Sequence, residues 1–410
     1  MIRVPGHPVD KSADLAFLPN FPDQSPSGDV ELTVVMPCLN EGETVAFCVT
    51  EAIEAISANG IRGEVLVADN GSKDGSADAA RGAGARVVHV EQRGYGCAIQ
   101  GGVAAASGKF VILGDADGSY DFGEIPRLLD RLRRGEDLVM GCRLPGGGGR
   151  IEAGAMPALH QHIGNPLLSW AARLLCGAPV HDIYCGLRGF RRRLLEETRV
   201  RSSGMEFAAE MVVKASIFGH RIGEVPVTLR ADRRVTGRSH LRTFRDGWSG
   251  LALFLMHSPN WLFLVPGVLL MLLGAAGYAL AMPGVRLFGA VLDAHTLLVS
   301  TLALLVGYQS MLFGAFVKWY GADIGLLPTS KASQGPWLSP NQASGLGGLL
   351  MVAGIALLGA GFLDWKAAGF GQLDYAYEMR KVIPGVLLAS LGFQTVLAGF
   401  FAGILRLGRQ

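Results

Sequence analysis

Two aspartates, Asp115 and Asp117, stand two residues apart in KFVILGDADGSYD, where an apolar run stops and the chain must turn. Hard cations such as Mg²⁺ or Mn²⁺ take oxygen ligands from one or two carboxylates and complete their shell with substrate phosphates. The pair can therefore hold a divalent cation against a nucleotide diphosphate, although a turn carrying two solvated acids accounts for the same residues. Two other polar clusters end apolar runs: Asn40 and Glu41 in VVMPCLNEGETV, and Asp69 and Asn70 in VADNGSKDGS. Asp69 could accept hydrogen bonds from a nucleobase, and the Gly and Ser residues after it suit a tight turn. The absence of a G-x-G-x-x-G turn after the first run counts against a dinucleotide oxidoreductase, and there is no Walker A sequence.

The elements that must position these residues are short β-branched runs, LTVVMP, EVLVAD, ARVVHV, KFVILGD and DLVMGCR, separated by stretches rich in Ala, Glu and Ile. This alternation predicts βαβ units and a doubly wound, mainly parallel α/β sheet. Ligands of such sheets bind outside the carboxyl ends of the strands, which is where the polar clusters fall. A second stretch, Pro157 to Arg230, is expected to complete the sheet, with a helix from Met205 to Phe218 and a strand from Arg221 to Arg230. Between them, Gly146 to Gly149 is expected to be a mobile lid or a bare linker.

In combination, P-x-x-N-E after the first strand, V-x-D-N-G-S after the second and D-A-D after the fourth resemble family 2 glycosyltransferases with the GT-A fold. GCR with Arg143, HDIYCGLRGF with Asp182, GMEFAAEM with Glu206 and Glu210, GEVPV and RVTGRSH extend the likeness to the polyprenyl-phosphate sugar synthases over about residues 30 to 245. The resemblance implies that Pro37, Leu39, Asn40, Glu41, Asp69, Asp115 and Ala116 hold the nucleotide, that Asp115, Asp117 and Ser119 face the metal, and that Asp117, Asp182 and Arg234 serve catalysis. Arg143, Arg234 and His240 fall to the donor diphosphate or the acceptor phosphate. Ser119 stands where the family has a Gln, and His240 replaces a usual Lys. His160, His162 and the run Arg191 to Arg193 read as surface or headgroup-facing residues.

Half of the 410 residues are hydrophobic, more than one soluble domain of this length needs. The excess sits beyond Asn260, where Trp261 to Met282, Ala294 to Phe316, Gly345 to Leu363 and Val382 to Leu405 are each close to the roughly 20 residues that cross a hydrocarbon core. Arg230, Arg233, Arg234, Arg238, Arg242 and Arg245 precede the first span and predict a cytosolic N-terminal domain. Arg406 and Arg409 agree with that orientation, while Lys366, Arg380 and Lys381 oppose it. From His240 to His257, Leu241, Phe244, Trp248, Leu251 and Leu255 recur at steps of three and four, which predicts an amphipathic helix in the membrane interface. The expected order is thus a loose leader over 1–30 without a signal-peptide h-region, a GT-A domain over 31–239, an interfacial helix over 240–258 and a membrane domain over 259–410. Six cysteines without a C-x-x-C pair read as core residues of a reducing compartment. A formal charge of +2 is too small to argue for nucleic acid, and the basic residues cluster beside the membrane instead, so no nucleic acid partner is expected.

These expectations describe an integral membrane glycosyltransferase that uses a nucleotide-sugar donor, a polyprenyl phosphate acceptor and a divalent cation, Mg or Mn. Two other readings stay open. A transferase of the same fold could use diacylglycerol or a growing polysaccharide, with Asp182 or Glu210 as the base; alternatively, the spans could carry a lipid-linked sugar while the soluble part senses nucleotide.

Overall fold

The computed structural model describes residues 30–233, 243–287, 289–329 and 339–407. It divides into two compact units, Met1–His257 and Ser258–Gln410.

The first unit runs β1 (Leu32–Cys38), α1 (Val45–Ala58), β2 (Gly63–Asp69), α2 (Ser76–Gly82), β3 (Arg86–His89), α3 (Tyr95–Ala105), β4 (Phe110–Leu113), α4 (Ile125–Arg133), β5 (Leu138–Cys142) and β6 (Arg150–Ile151). It continues with α5 (Asn165–Cys176), β7 (Arg188–Arg191), α6 (Leu194–Thr198), α7 (Phe207–Ile217), β8 (Ile222–Pro226), β9 (Thr228–Leu229) and α8 (Thr243–Met256). Seven strands form one sheet in the order β3-β2-β1-β4-β7-β5-β8. All neighbouring strands are parallel except β7, which is antiparallel to both β4 and β5. Leu32, Val34, Val35 and Met36 of β1 are fully buried, as a strand covered on both faces requires. Helix α3 lies on β1 and β2; a Cβ on its Gly102 would meet Val35 Cγ1 at 2.5 Å, so glycine sets that spacing.

The expected α/β sheet is therefore present, with two departures. The run from Arg221 to Arg230 is not one strand: β8 stays in the main sheet, and β9 leaves it to pair with β6. Pro226 ends β8 and offers no N–H to continue the ladder. Gly146 to Gly149 is neither lid nor bare linker but a turn packed on the end of β5. Gly148 is left-handed at φ 82°, and a Cβ on Gly149 would run into the Cys142 carbonyl.

In the second unit a short hairpin, β10 (Arg286–Leu287) and β11 (Ala290–Val291), accompanies α9 (Val265–Ala281), α10 (Ala294–Asp323), α11 (Pro340–Ala367) and α12 (Tyr375–Leu407). The four apolar helices, Asn260–Ala281, Ala294–Asp323, Pro340–Ala367 and Tyr375–Leu407, have mean hydropathies of 2.1, 1.7, 2.2 and 1.8. The last three extend past the sequence windows because helical hydrogen bonding continues beyond the apolar core into charged residues such as Lys318, Asp364 and Glu378. Small residues at seven-residue steps line the contacts: Gly347 and Gly354 of α11 meet Gly392 and Gly385 of α12, and Gly267 of α9 meets Gly307 of α10. Such residues let backbones approach where lipid provides no hydrophobic drive for association. Tyr278 bonds Thr301 at 2.6 Å between α9 and α10, and Tyr308 bonds Thr395 at 2.7 Å between α10 and α12.

Candidate active site

The loops that leave β1, β2 and β4 converge at one edge of the sheet, because those strands are parallel and end together. After β1, Asn40 takes a left-handed conformation, φ 58°, which Asn tolerates better than most residues. Its N–H donates to Ser72 Oγ at 2.9 Å, and its Oδ1 accepts from Lys73 N at 2.9 Å. Glu41 N donates to Ser76 Oγ at 2.8 Å, so the loops after β1 and β2 are zipped together. Thr44 Oγ1 donates to the Ala116 carbonyl at 2.7 Å and ties the start of α1 to the D-A-D turn. Pro37 closes β1 beside Ala68, Ala116 is buried, and Leu39 is half exposed at the mouth of the site.

Asp69, almost fully buried, accepts from Ser72 N at 3.1 Å and faces His89 Nδ1 at 3.0 Å. Burial alone would raise its carboxyl, but the bonds from Ser72 and His89 outweigh that and hold it below the usual range. Asn70 binds the carbonyls of Val90 and Gln92 and accepts from Gly94 N, which shapes the entry to α3. Tyr95, the first residue of α3, then donates its hydroxyl to Asp115 Oδ1 at 3.0 Å.

Asp115 and Asp117 flank the buried Ala116. Burial first, and then the charge of Asp117, push Asp115 up to about 6, against the bond from Tyr95 and the more distant Arg188 and Arg143. Asp117 Oδ1 accepts from the backbone and the hydroxyl of Ser119, the latter at 2.6 Å. The donor set is oxygen only, and the two carboxylates repel one another, a repulsion that a dication would relieve; the residues present fit a divalent metal. No cluster of three or more His, Cys, Asp or Glu gathers among the described residues, so substrate oxygens would have to complete the shell.

The antiparallel sense of β7 brings a fourth segment to the same edge. Because β7 enters the sheet where β4 and β5 end, residues 182–188 lie beside the aspartates. A Cβ on Gly186 would come within 2.5 Å of Asp115 Oδ2, so only glycine fits there. Tyr120 accepts from Gly186 N at 2.7 Å. Arg188, buried in β7, is occupied by the carbonyls of Cys185 and Ala208, yet its charge still acts on Asp115.

Asp182 follows β5's Arg143 into the same edge. It is wholly buried and grips Arg143 with both oxygens, Nε to Oδ2 at 2.7 Å and Nη2 to Oδ1 at 2.9 Å, while also accepting from Arg143 N. A carboxylate locked this way orients its arginine. The Nη1 edge of the Arg143 guanidinium lies 3.4 Å from Tyr120 Oη. Glu210 is likewise committed: it pairs with buried Lys214 at 2.8 Å and accepts from the N–H groups of Arg201 and Ser202. Burial alone would raise its carboxyl, but Lys214 and Ser202 hold it below the usual range. Glu206 stands at the exposed start of α7.

Arg230 N donates to Ser119 O at 2.9 Å and its guanidinium pairs with Glu51 and Asp121, so the chain crosses the D-A-D turn. Arg233 stacks on Phe47 at 4.0 Å, and its N–H reaches Asp117 O at 3.3 Å. Arg234 and His240 lie outside the described residues. The sequence reading missed Tyr95, His89, Tyr120 and Arg188. Tyr95 carried a signal, a bulky residue between two glycines at a strand-to-helix turn; the other three carried none.

Residues 33–199 match the family described as Glycosyl transferase family 2, and residues 315–406 match the Glycosyltransferase family 2 C-terminal transmembrane region. The low-salt glycan biosynthesis hexosyltransferase Agl6 of Haloferax volcanii is 35% identical over 404 residues, 97% of this chain and 93% of that protein. A dolichyl-phosphate hexose transferase of the same organism is 34% identical over 218 residues, 53% of this chain and 89% of that protein. Among solved structures, glucosyl-3-phosphoglycerate synthase from Mycobacterium tuberculosis in complex with Mn²⁺, UDP and phosphoglyceric acid is similar at 24% identity with a TM-score of 0.43, over 56% of this chain and 78% of that one.

Proposed function

Since this chain belongs to glycosyltransferase family 2 and is a multi-pass membrane protein, we propose that it moves a hexose from a nucleotide-sugar to a polyprenyl phosphate at the cytosolic membrane face. The observation that carries this reading is the pair Asp115 and Asp117 at the edge where β1, β2 and β4 end, where burial and the neighbouring Asp117 push the Asp115 carboxyl up to about 6. Asp69 and the Asn40–Glu41 loop form the nucleoside end of the same edge. Pro37, Leu39 and Ala116 border it, and the diphosphate falls beside Asp115, Asp117 and Ser119, which would hold Mg²⁺ or Mn²⁺. When bound, that cation offsets charge on the phosphate oxygens.

An acceptor phosphate oxygen is already anionic near neutral pH and can attack the anomeric carbon without a base. Its lone pair forms the new C–O bond while the bond to the donor's phosphate oxygen breaks, leaving a nucleotide diphosphate and an inverted anomeric centre. Asp182 and Glu210, both locked in ion pairs, fit a reaction that asks no carboxylate for proton transfer. Arg143, oriented by Asp182, contributes fixed positive charge beside the diphosphate. Arg234 is the proposed second cation on the donor, and His240 is proposed at the acceptor phosphate. Helix α8 is proposed to lie at the interface. The dolichyl-phosphate hexose transferase among the relatives supports the lipid acceptor.

The test is transfer of radiolabelled sugar from UDP- and GDP-hexoses into an organic-extractable, mild-acid-labile lipid, with and without chelator. Cation-dependent label from one donor is the expected result. No label from any donor with a verified polyprenyl phosphate present would overturn the reading.

A further inference from the structure

We infer, building on the proposed function, that Ser72 and His89 set the hydrogen-bonding capacity of Asp69 so that it selects a 2,4-dioxopyrimidine base, uracil or thymine, on the donor nucleotide and turns guanine and cytosine away. Three parallel strand ends bring the residues into line, since Cys38, Asp69 and His89 are register partners across β1, β2 and β3. Adjacent strands lie about 4.8 Å apart, so Leu39 after β1 and His89 on β3 bracket Asp69 over roughly 10 Å. Leu39 is 51% exposed and the His89 side chain 62%, while that of Asp69 is 3% exposed. A buried acid between two exposed side chains, one apolar and one aromatic, suits the edge of a flat ring.

An ionised carboxylate has about four acceptor sites and no donor. Ser72 N donates to Asp69 Oδ1 at 3.1 Å, the Ser72 hydroxyl donates to the same carboxylate, and His89 Nδ1 lies 3.0 Å from Oδ2. Their other partners fix the directions. Ser72 Oγ accepts from Asn40 N at 2.9 Å, which leaves its proton for Asp69. His89 Nε2 lies 3.1 Å from Arg81 Nη2, and arginine can only donate, so the ring proton stands on Nδ1 and points to Asp69. Arg81 is itself held by Asp78 at 2.8 Å. Burial raises the Asp69 carboxyl, but the bonds from Ser72 and His89 outweigh it and keep the group ionised near neutral pH. With three donors already on it, the carboxylate has room for one more.

Uracil and thymine present a single N–H between two carbonyl oxygens, and one acceptor site satisfies it. Guanine presents two donors side by side, its ring N–H and its amino group, and one of them would stay unmet. Cytosine turns an unprotonated ring nitrogen toward the carboxylate, lone pair against negative charge. Polar groups left unmatched in a buried site are what make such rejection strong.

The test is titration of the full chain in detergent micelles with UDP, dTDP, CDP and GDP, each with Mg²⁺. UDP or dTDP is expected to bind about tenfold or more tightly than CDP and GDP, and the tighter of the two names the pyrimidine. GDP or CDP bound as tightly as both overturns the inference and leaves the proposed function standing; binding of none overturns the two together. His89→Ala opens a second acceptor site on Asp69 and is expected to lower the preference for dioxopyrimidine over guanine several-fold. His89→Asn, whose amide can donate from near the Nδ1 position, is expected to keep that preference. A preference unmoved by His89→Ala, or lost equally in both variants, overturns the inference. The readout is a ratio of two affinities on one variant, so a loss of folded protein cancels.

Discussion

Two sets of acids in the catalytic unit read alike in the sequence and differ in their surroundings. Asp115 and Asp117 stand two residues apart with like charge, and burial followed by the charge of Asp117 pushes the Asp115 carboxyl up to about 6, against the Tyr95 hydroxyl and the charges of Arg188 and Arg143. Asp182 and Glu210 are at least as buried, but each has a cation against it, Arg143 and Lys214. The first arrangement is costly without a ligand and favours one that brings positive charge. The second is complete in itself and holds the scaffold in shape. Burial of an acid by itself is therefore a poor guide to a functional site, since an ion pair can complete a buried carboxylate.

The comparison breaks most visibly if the two kinds of acid respond alike to the same isosteric change. Asp117→Asn is expected to lower transfer about a thousandfold, the several kcal/mol of charge stabilisation at a metal–phosphate site, with the melting temperature unchanged or raised. Single-turnover transfer together with thermal unfolding checks both halves; a variant that retains most of its activity would remove Asp117 from the site. Asp182→Asn should show the reverse weighting. Leaving Arg143 buried and unpaired costs about 3–5 kcal/mol, a fall in melting temperature of roughly 10 °C in detergent. Adding Arg143→Met should recover part of that stability, and a further loss instead would show that the arginine has other work.

Smaller changes sharpen the contrast. Tyr95→Phe removes one hydrogen bond to a charged carboxyl, about 1.5 kcal/mol, and is expected to lower kcat/KM about tenfold and to raise the cation concentration needed for half-maximal rate. An unchanged cation dependence would count against Tyr95 holding Asp115. The smallest effect is expected at Glu210, whose carboxyl titrates below its reference value of 4.5 in the fold. A depressed acid contributes stability that is fully present above the unfolded value and is lost as pH falls through the folded one. Glu210→Gln should therefore melt lower than wild type near neutrality, and the two melting curves should converge as pH falls below about 4.5. Parallel curves over the whole range would show that the pair with Lys214 is not what the charge stabilises.

Much of this was legible before any coordinates. Continuous β-branched runs ending in Asn40–Glu41, Asp69–Asn70 and Asp115–Asp117 gave the parallel sheet and the edge where those clusters meet, because side chains just past parallel strands have nowhere else to go. What escaped was the material delivered by β7. Its four residues carry no direction in their sequence, and only the antiparallel sense puts Gly186, Arg188 and Asp182 beside the aspartates. The strand at 221–230 was overextended for a related reason: its pattern ignores Pro226, which ends the ladder locally.

Composition and periodicity by themselves determined that the chain has an α/β part and a four-span part, and which residue types cluster at strand ends. These are properties of local sequence: apolar length sets what can cross a bilayer, and alternation sets what can form a buried strand. Only the tertiary structure decided that Arg143 meets Asp182, because a cation 39 residues away reaches a carboxylate through strand order, which no local pattern encodes; the Glu210–Lys214 pair, four residues apart on one helix, lay within the reach of helical periodicity, and the fold added its burial.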